Sequence, residues 1–579
     1  MVAANSARSR VSWATGPILP LACRCSAGGR VRHPESHVHP PFAGQTPSER
    51  TDVIPDLQGV GHRHDIWRHL MTALDRRSLL KAGGLTAGGA ILGSTALQAV
   101  STRMAEAAPG SGRGSANVDY GPLSPRTSLN DGQQWLALPA GFVYTIFSKT
   151  GSEMSDGRLA ARAHDGMGAF GGVASGVRLI RNQEIRFSQE APFTQGQFTV
   201  EPAPNAYDKT AEGGNTTLTF DARKFFTPSG GLTQDYVSLT GTVVNCAGGV
   251  ALRQSGWLTC EEIVQQELGS APPGSVPRTE KKHGYVYLNP LNASAPGSPV
   301  GPEPFMAMGR FSHEAATVDD RTGIVYQTED AGSGRGSGFY RFLPRNPADL
   351  SKGGVLQILG IQNRPSVDLR EGQEQGVVLP VRWITIFQPN PSEDAPNAVF
   401  EEAFARGAAK FNRLEGCWDG AGSIFFASTS GGDVKNGDVN DDGFEEGYGQ
   451  IWEYIPQGLS GGQLVLLFES PDGDVLDSPD NLVVSPRGGL VLCEDDASSV
   501  NAGQNDTSPF FGEDKNRLIG LTLDGVPFPF AENIMNDSEF AGACWSDDGA
   551  FLFVNIFGYD EAGSGGTLAI TGPWPRGAL

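Results

Sequence analysis

The stretch N-R-L-E-G-C-W-D-G-A-G-S-I-F-F-A-S-T, Asn412 to Thr429, has the form of a strand, a glycine turn and a second strand. Its first strand carries Arg413 and Glu415, two residues apart and therefore on one face of an extended chain. A guanidinium beside a carboxylate suits a site where the carboxylate holds a metal and both groups grip an oxyanion. Alone, the pair reads as a surface ion pair. Its recurrence changes that reading.

The same pattern returns along the chain. Leu239–Glu262 reads L-T-G-T-V-V-N-C-A-G-G-V-A-L-R-Q-S-G-W-L-T-C-E-E, and Ser312–Asp330 reads S-H-E-A-A-T-V-D-D-R-T-G-I-V-Y-Q-T-E-D. Ser478–Asp496 reads S-P-D-N-L-V-V-S-P-R-G-G-L-V-L-C-E-D-D, and Glu539–Asn555 reads E-F-A-G-A-C-W-S-D-D-G-A-F-L-F-V-N. Each copy has a polar or acidic residue (Cys246, Glu314, Glu415, Asp480, Glu539), a strand, a turn and another strand. Three end in acid pairs, Glu261-Glu262, Glu329-Asp330 and Glu494-Asp495. Radial repetition of such antiparallel units is a β-propeller, whose innermost strands bring equivalent residues to one axis. Clustered carboxylates repel strongly at low dielectric, so a central cluster calls for cations.

Composition agrees. The 579 residues include 77 glycines and 39 prolines, spread out as many short strands joined by turns require. Net charge is −21. The first 107 residues hold 12 Lys and Arg against 7 Asp and Glu, leaving 44 − 12 = 32 against 65 − 7 = 58, a net of −26 for the rest. A body this acidic repels nucleic acid and anionic lipid, and it offers oxygen ligands to hard cations. Of nine histidines, only His164, His283 and His313 follow residue 70, which argues against a zinc hydrolase built on histidines. The ligands are then mostly carboxylates, pointing to calcium, magnesium or oxidised iron. Five cysteines lie in the body, too few and too scattered for a disulfide framework. Cys417, Cys493 and Cys544 sit in strand patterns as small buried residues. Cys246 and Cys260 occupy positions where other copies place acids, and read either as a thiolate ligand or as a disulfide pair.

Residues 1–107 read as a disordered extension and an export signal, with Met71 a better start than Met1. Asp75-Arg76-Arg77-Ser78-Leu79-Leu80-Lys81 is a twin-arginine pattern. A mildly apolar run to Val100 follows, then Ala105-Glu106-Ala107 as a small-x-small cleavage site, so a Tat signal is expected. Residues 108–137 read as a linker and 138–579 as the propeller. Leu138–Phe147 opens the first strand, His164–Phe170 reads as a polar turn, and Val177–Glu184 and Gly213–Phe220 read as strands. Asn436–Gly443 is an acidic loop without EF-hand spacing, either a calcium loop or a solvated turn. No membrane span follows the leader.

In order, R-N-Q-E at 181–184, N-C-A-G-G at 245–249, W-L-T-C-E-E at 257–262, K-H-G-Y-V-Y at 282–287, S-H-E-A-A at 312–316, R-L-E-G at 413–416 and S-P-D-N-L at 478–482 resemble the PhoX-type alkaline phosphatases. The likeness runs from about Pro139 to Trp574. It implies an all-β six-bladed propeller with a central metal cluster, Tat export to the periplasm, cell surface or medium, and a monomeric enzyme. The implied cofactors are Ca2+ and Fe3+, and the implied substrate is a small-molecule phosphoester, a monoester above all, hydrolysed for phosphate acquisition. By motif, Cys246 is similar to the iron-ligating thiolate, Glu314 and Glu415 to cluster ligands, and Arg413 to the phosphate-gripping arginine, with Arg413, Glu415 and Glu314 the catalytic set. Glu184, Glu261, Glu329, Asp480 and Glu494 complete the expected metal ligands. Gln183 stands where the family usually has His, and Ala251–Trp257 departs from the usual T-P-W-G-T-W. Two rivals remain: a calcium-dependent propeller hydrolase of lactones or organophosphorus esters, and an exported propeller that binds calcium without catalysis.

Overall fold

The computed structural model describes residues 118–186, 198–264, 279–331, 335–391, 397–420, 422–440, 442–495, 515–558 and 561–579. The extension, the twin-arginine stretch and the start of the expected linker lie outside them. Among the described residues no helix is long and apolar enough to cross a membrane.

Six antiparallel units follow one another along the chain. They open on the strands His164–Phe170, Asn245–Val250, His313–Val318, Leu414–Gly420, Pro479–Val484 and Phe540–Trp545. Each of these six strands packs against the next, and the last packs back against the first, so they form a closed ring. The other strands of each unit step outward from it. This is a β-propeller, held by apolar clusters between neighbouring sheets. The chain closes the ring on itself: the N-terminal strand Val143–Phe147 pairs with Gly566–Thr571 near the C-terminus, in register Phe147 to Thr567 through Val143 to Thr571. Val378–Thr385 pairs on one side with Gly354–Ile361 and on the other with Gly461–Glu469, joining the third and fourth units into one sheet.

Two expectations change. Part of the presumed linker is sheet: Ser124–Arg126 pairs with Leu136–Leu138, which pairs with Pro527–Asn533 and is wholly buried. His164–Phe170 is not a polar turn but an innermost strand, buried throughout. Its glycines hid it. A Cβ on Gly166 would lie 2.5 Å from the Ala247 backbone, and one on Gly168 would lie 2.5 Å from the Trp257 ring. Close approach of the neighbouring unit therefore excludes the branched residues by which strands are usually read.

Candidate metal centre

All six innermost strands carry a register shift at the same place, near the axis. The shifts fall between His164 and Met167, Asn245 and Gly248, His313 and Ala316, Leu414 and Cys417, Pro479 and Leu482, and Ala541 and Cys544. A bulge re-aims the side chain at its first extra residue. Those residues are Asp165, Cys246, Glu314, Glu415, Asp480 and Gly542. Four of the strands are entered through a non-glycine residue in the left-handed region: Ala163, Val244, Arg413 (φ 41°) and Ser478. Such backbone is costly and is retained where the surroundings over-determine it, often at functional sites.

The bulge residues converge with acids that directly follow the second strands of several units. Four groups of three have ligand atoms within 4.8 Å of one another: Asp165, Glu184 and Cys246; Cys246, Glu262 and Glu314; Glu314, Glu415 and Asp480; Asp480, Asp495 and Glu539. Cys246, Glu314 and Asp480 each belong to two groups, so the four form a chain linked by shared residues. Neither oxygen of Glu314 accepts a hydrogen bond from any described residue. A fully buried carboxylate without donors is a ligand set in waiting, and oxygen-rich groups with one thiol suit hard cations plus iron.

The electrostatics agree. Burial pushes the Glu314 carboxyl well above the usual range, and Asp480 and Glu415 push it further. Burial, then Asp495, raises Asp480 to about 8. Burial also drives the Cys246 thiol well up, with Asp165 and Glu314 adding to it. Such a set carries its full negative charge only beside cations.

At the rim stands Arg413. It donates from Nε and Nη2 to the two oxygens of Asp330, at 3.3 and 3.1 Å, and its Nη2 lies 3.2 Å from Glu415. Its side chain is 34% exposed, so the guanidinium keeps a face toward the central cavity of about 260 Å³ that it lines. Asp330 feels burial, which would raise its carboxyl, but Arg413 holds it below the usual range. Arg186 lies across the same mouth, paired to Glu184 and Glu262. Trp418, on the fourth innermost strand, packs against four separate hydrophobic clusters beneath the centre.

Of the expected residues, the structure brings together Glu184, Cys246, Glu314, Glu415, Asp480 and Arg413. It places Glu261, Glu329 and Glu494 elsewhere. Glu261 accepts from the backbone of Val243, Gly284 and Tyr285 and meets His283 Nδ1 at 2.6 Å. Glu329 accepts from Gly338 N, Tyr340 Oη and Arg335 Nη2. Glu494 accepts from Asp477 N and from the backbone and guanidinium of Arg517. The second acids Glu262 and Asp495 line the central cavity instead, and Asp330 lines an adjoining cavity that shares Glu262 and Arg413 with it. Successive strand residues point to opposite faces, so a choice one residue off in each pair moved three carboxylates from the centre to the flank.

Asp165 is an unexpected member of the centre, and Glu539 joins it from ahead of its bulge rather than at it. His164 and His313 are buried and neutral. Burial lowers His164, which sits between Thr150 and Gln183, and lowers His313 to about 3. Gln183 accordingly points away from the centre. Cys246 and Cys260 are both free thiols, which removes the disulfide alternative. In the acidic loop, Asp442 is taken up by Arg370 at 2.8 Å.

The family model for alkaline phosphatase PhoX matches residues 118–558. No curated protein matches the chain. Among solved structures, Pseudomonas fluorescens PhoX in complex with vanadate, a transition state analogue, aligns at 16% identity and TM-score 0.53, covering 79% of this chain and 98% of that one. A Dyadobacter fermentans protein of unknown function aligns at 9% identity and TM-score 0.38, covering 76% and 99%. A luciferin-regenerating enzyme aligns at 12% identity and TM-score 0.33, covering 75% and 96%.

Proposed function

Because the chain belongs to the alkaline phosphatase PhoX family and is a metal-dependent phosphoric-ester hydrolase, we propose that the linked acidic groups at its axis are the hydrolytic centre for phosphate monoesters. The observation that carries this reading is the convergence of five bulge side chains, Asp165, Cys246, Glu314, Glu415 and Asp480, beside Arg413 at the rim. We assign calcium to the carboxylate groups and ferric iron to the groups that share Cys246, since a thiolate among carboxylates favours iron. Bound there, the ions polarise phosphoryl oxygens and lower the pKa of water at the centre.

The residues of the chain do the rest. Asp330 holds Arg413 from behind in a two-point contact, so the guanidinium meets incoming phosphate already oriented. Arg413 donates to the equatorial oxygens and offsets the charge that builds on them. The carboxylates of Glu314, Glu415 and Asp480 fix the ions relative to that arginine. The twin-arginine stretch Asp75–Lys81 supports Tat export, and folded, metal-loaded export fits a body without disulfides.

The test is hydrolysis of p-nitrophenyl phosphate at alkaline pH by protein lacking residues 1–107, with bound calcium and iron quantified. Chelation is expected to abolish turnover and calcium to restore it. Arg413→Ala should lower kcat/KM about 10²- to 10³-fold with the metals retained. Folded, calcium- and iron-loaded protein without phosphatase activity sinks the proposal. Full turnover of p-nitrophenyl phosphate with calcium bound and no iron removes the iron assignment at Cys246 and leaves the phosphatase reading standing.

A further inference from the structure

The short motif that carries Arg413 has a reversed copy on the other side of the ring. Arg413 immediately precedes the fourth innermost strand, Leu414–Gly420, and Glu415 lies two residues on. In the first unit, Glu184 and Arg186 follow the second strand, Val177–Gln183, again two residues apart. In a closed ring of six, the first and fourth units stand opposite each other across the axis. R-x-E on one side therefore faces E-x-R on the other.

The likeness extends to the partners. Each arginine pairs with the acid of its own motif and with the second acid of a neighbouring unit's acid pair. For Arg413 these are Glu415 and Asp330, and for Arg186 they are Glu184 and Glu262. Glu262 and Asp330 hydrogen-bond each other, so the rim reads Glu184, Arg186, Glu262, Asp330, Arg413, Glu415 through four successive units. Exposure divides in the same way. The Arg186 side chain is 60% exposed over partners at 7% and 8%, and Arg413 is 34% exposed over partners at 5% and 4%. In a surface ion pair both partners are in water. Here only the guanidiniums are, each laid on the solvent side of two buried acids. Both arginines line the central cavity and the adjoining one, where an anion bound for the centre arrives.

Both contacts of Arg186 are made by Nη2, one corner of a planar fork that carries five N–H donors. Glu184 and Glu262 belong to the two groups that share Cys246. An ion held by those groups offsets the charge that holds the guanidinium, which favours donation from its fork to an anion.

We infer that Arg186 is a second phosphate-binding residue, which with Arg413 grips the phosphoryl oxygens of the substrate from opposite sides of the axis. The inference rests on the phosphatase reading and adds a binding residue to it. The competing role for Arg186 is that of a counter-ion for Glu184 and Glu262, which would show in metal content and not in phosphate affinity.

The probe is inorganic phosphate on the metal-loaded protein. Its affinity is measured by calorimetry and as competitive inhibition of p-nitrophenyl phosphate hydrolysis, with calcium and iron quantified in each variant. Arg186→Ala should weaken phosphate about 10- to 100-fold and raise KM for the ester to a similar extent, with kcat within about threefold and the metals retained. Arg186→Lys keeps the charge above Glu184 and Glu262 without the fork, and should recover part of that loss. Unchanged phosphate affinity in Arg186→Ala, with the ester still turned over, overturns the inference and leaves the phosphatase reading standing. Loss of bound metal in both variants does the same, since Arg186 is then the counter-ion. Metal-loaded wild-type protein that neither binds phosphate nor turns over the ester overturns the phosphatase reading and the second arginine with it.

Discussion

Gly416 follows the bulge residue Glu415 where the fourth innermost strand meets the fifth. A Cβ placed there would lie 2.7 Å from Leu482 N, 2.8 Å from Asn481 Cα and 2.8 Å from the Asp480 carbonyl oxygen. Ordinary contact begins near 3.4 Å, and all three obstacles are backbone, so Gly416→Ala must part the strands by about 0.7 Å. Those strands carry Glu415 and Asp480, which with Glu314 form one ligand group. Metal–ligand distances tolerate roughly ±0.2 Å, so the displacement exceeds what that group can absorb. Overpacking of this kind costs about 1–3 kcal/mol, and ångström-scale misplacement of reacting groups costs roughly 10²-fold in rate. The assay is bound calcium and iron by elemental analysis, alongside kcat/KM on p-nitrophenyl phosphate. The control is Gly422→Ala, at φ +86° with nothing within 4 Å, where only backbone strain is added. Gly416→Ala should lose metal and most activity, and Gly422→Ala should keep both. If Gly416→Ala retains full metal and activity, the spacing of the innermost strands does not set the centre.

The acid pairs separate by function: Glu262→Gln should lower bound metal with a small change in urea midpoint, whereas Glu261→Gln should keep the metal and destabilise by roughly 3–5 kcal/mol by breaking a buried charge pair. His283 gives a pH signature. Burial alone would depress it, but Glu261 and Asp208 raise it from 6.5 to about 9. A raised histidine contributes stability that is full below pH 6.5 and is lost as pH rises through 9, roughly 3 kcal/mol in all. Wild-type unfolding free energy, at fixed metal load, should therefore fall across that window, and His283→Gln should flatten it. Trp418→Ala should cost about 3–5 kcal/mol in denaturant unfolding, since it empties the packing of four clusters at once.

Much of this architecture was legible because it repeats. Copies of strand, turn and strand with an acid at a fixed place mark a propeller without any long-range information. The unit opening at His164 escaped because Gly166 and Gly168 erase the apolar alternation, and both are glycine for the sake of a neighbour far away in sequence. A finer signal did exist. Asp165-Gly166, Cys246-Ala247, Glu314-Ala315, Glu415-Gly416 and Asp480-Asn481 each set a ligand before a small or short residue, as tight bulges near the axis demand. The choice within each acid pair had no such local signal. Glu261 and Glu262 are chemically alike, and their faces are decided by where the strand register stops, which depends on donors from His283, Gly284 and Tyr285.

That division of labour between paired acids explains how so much negative charge coexists at one axis. Glu261, Glu329 and Glu494 are saturated by backbone N–H groups and by His283, Arg335 and Arg517, so each ties its second strand to the strand outside it. Their neighbours Glu262, Asp330 and Asp495 are thereby presented inward on a frame that does not yield to their repulsion. The shared residues also link the four groups to one another. Cys246 belongs to two groups, Glu314 to two and Asp480 to two, so an ion held by one group would also position a ligand of the next. With ligands held in common, metal uptake is expected to be cooperative in a titration of the metal-free protein, and Arg413, tied to Asp330 and Glu415, is set by the same frame that holds the shared ligands.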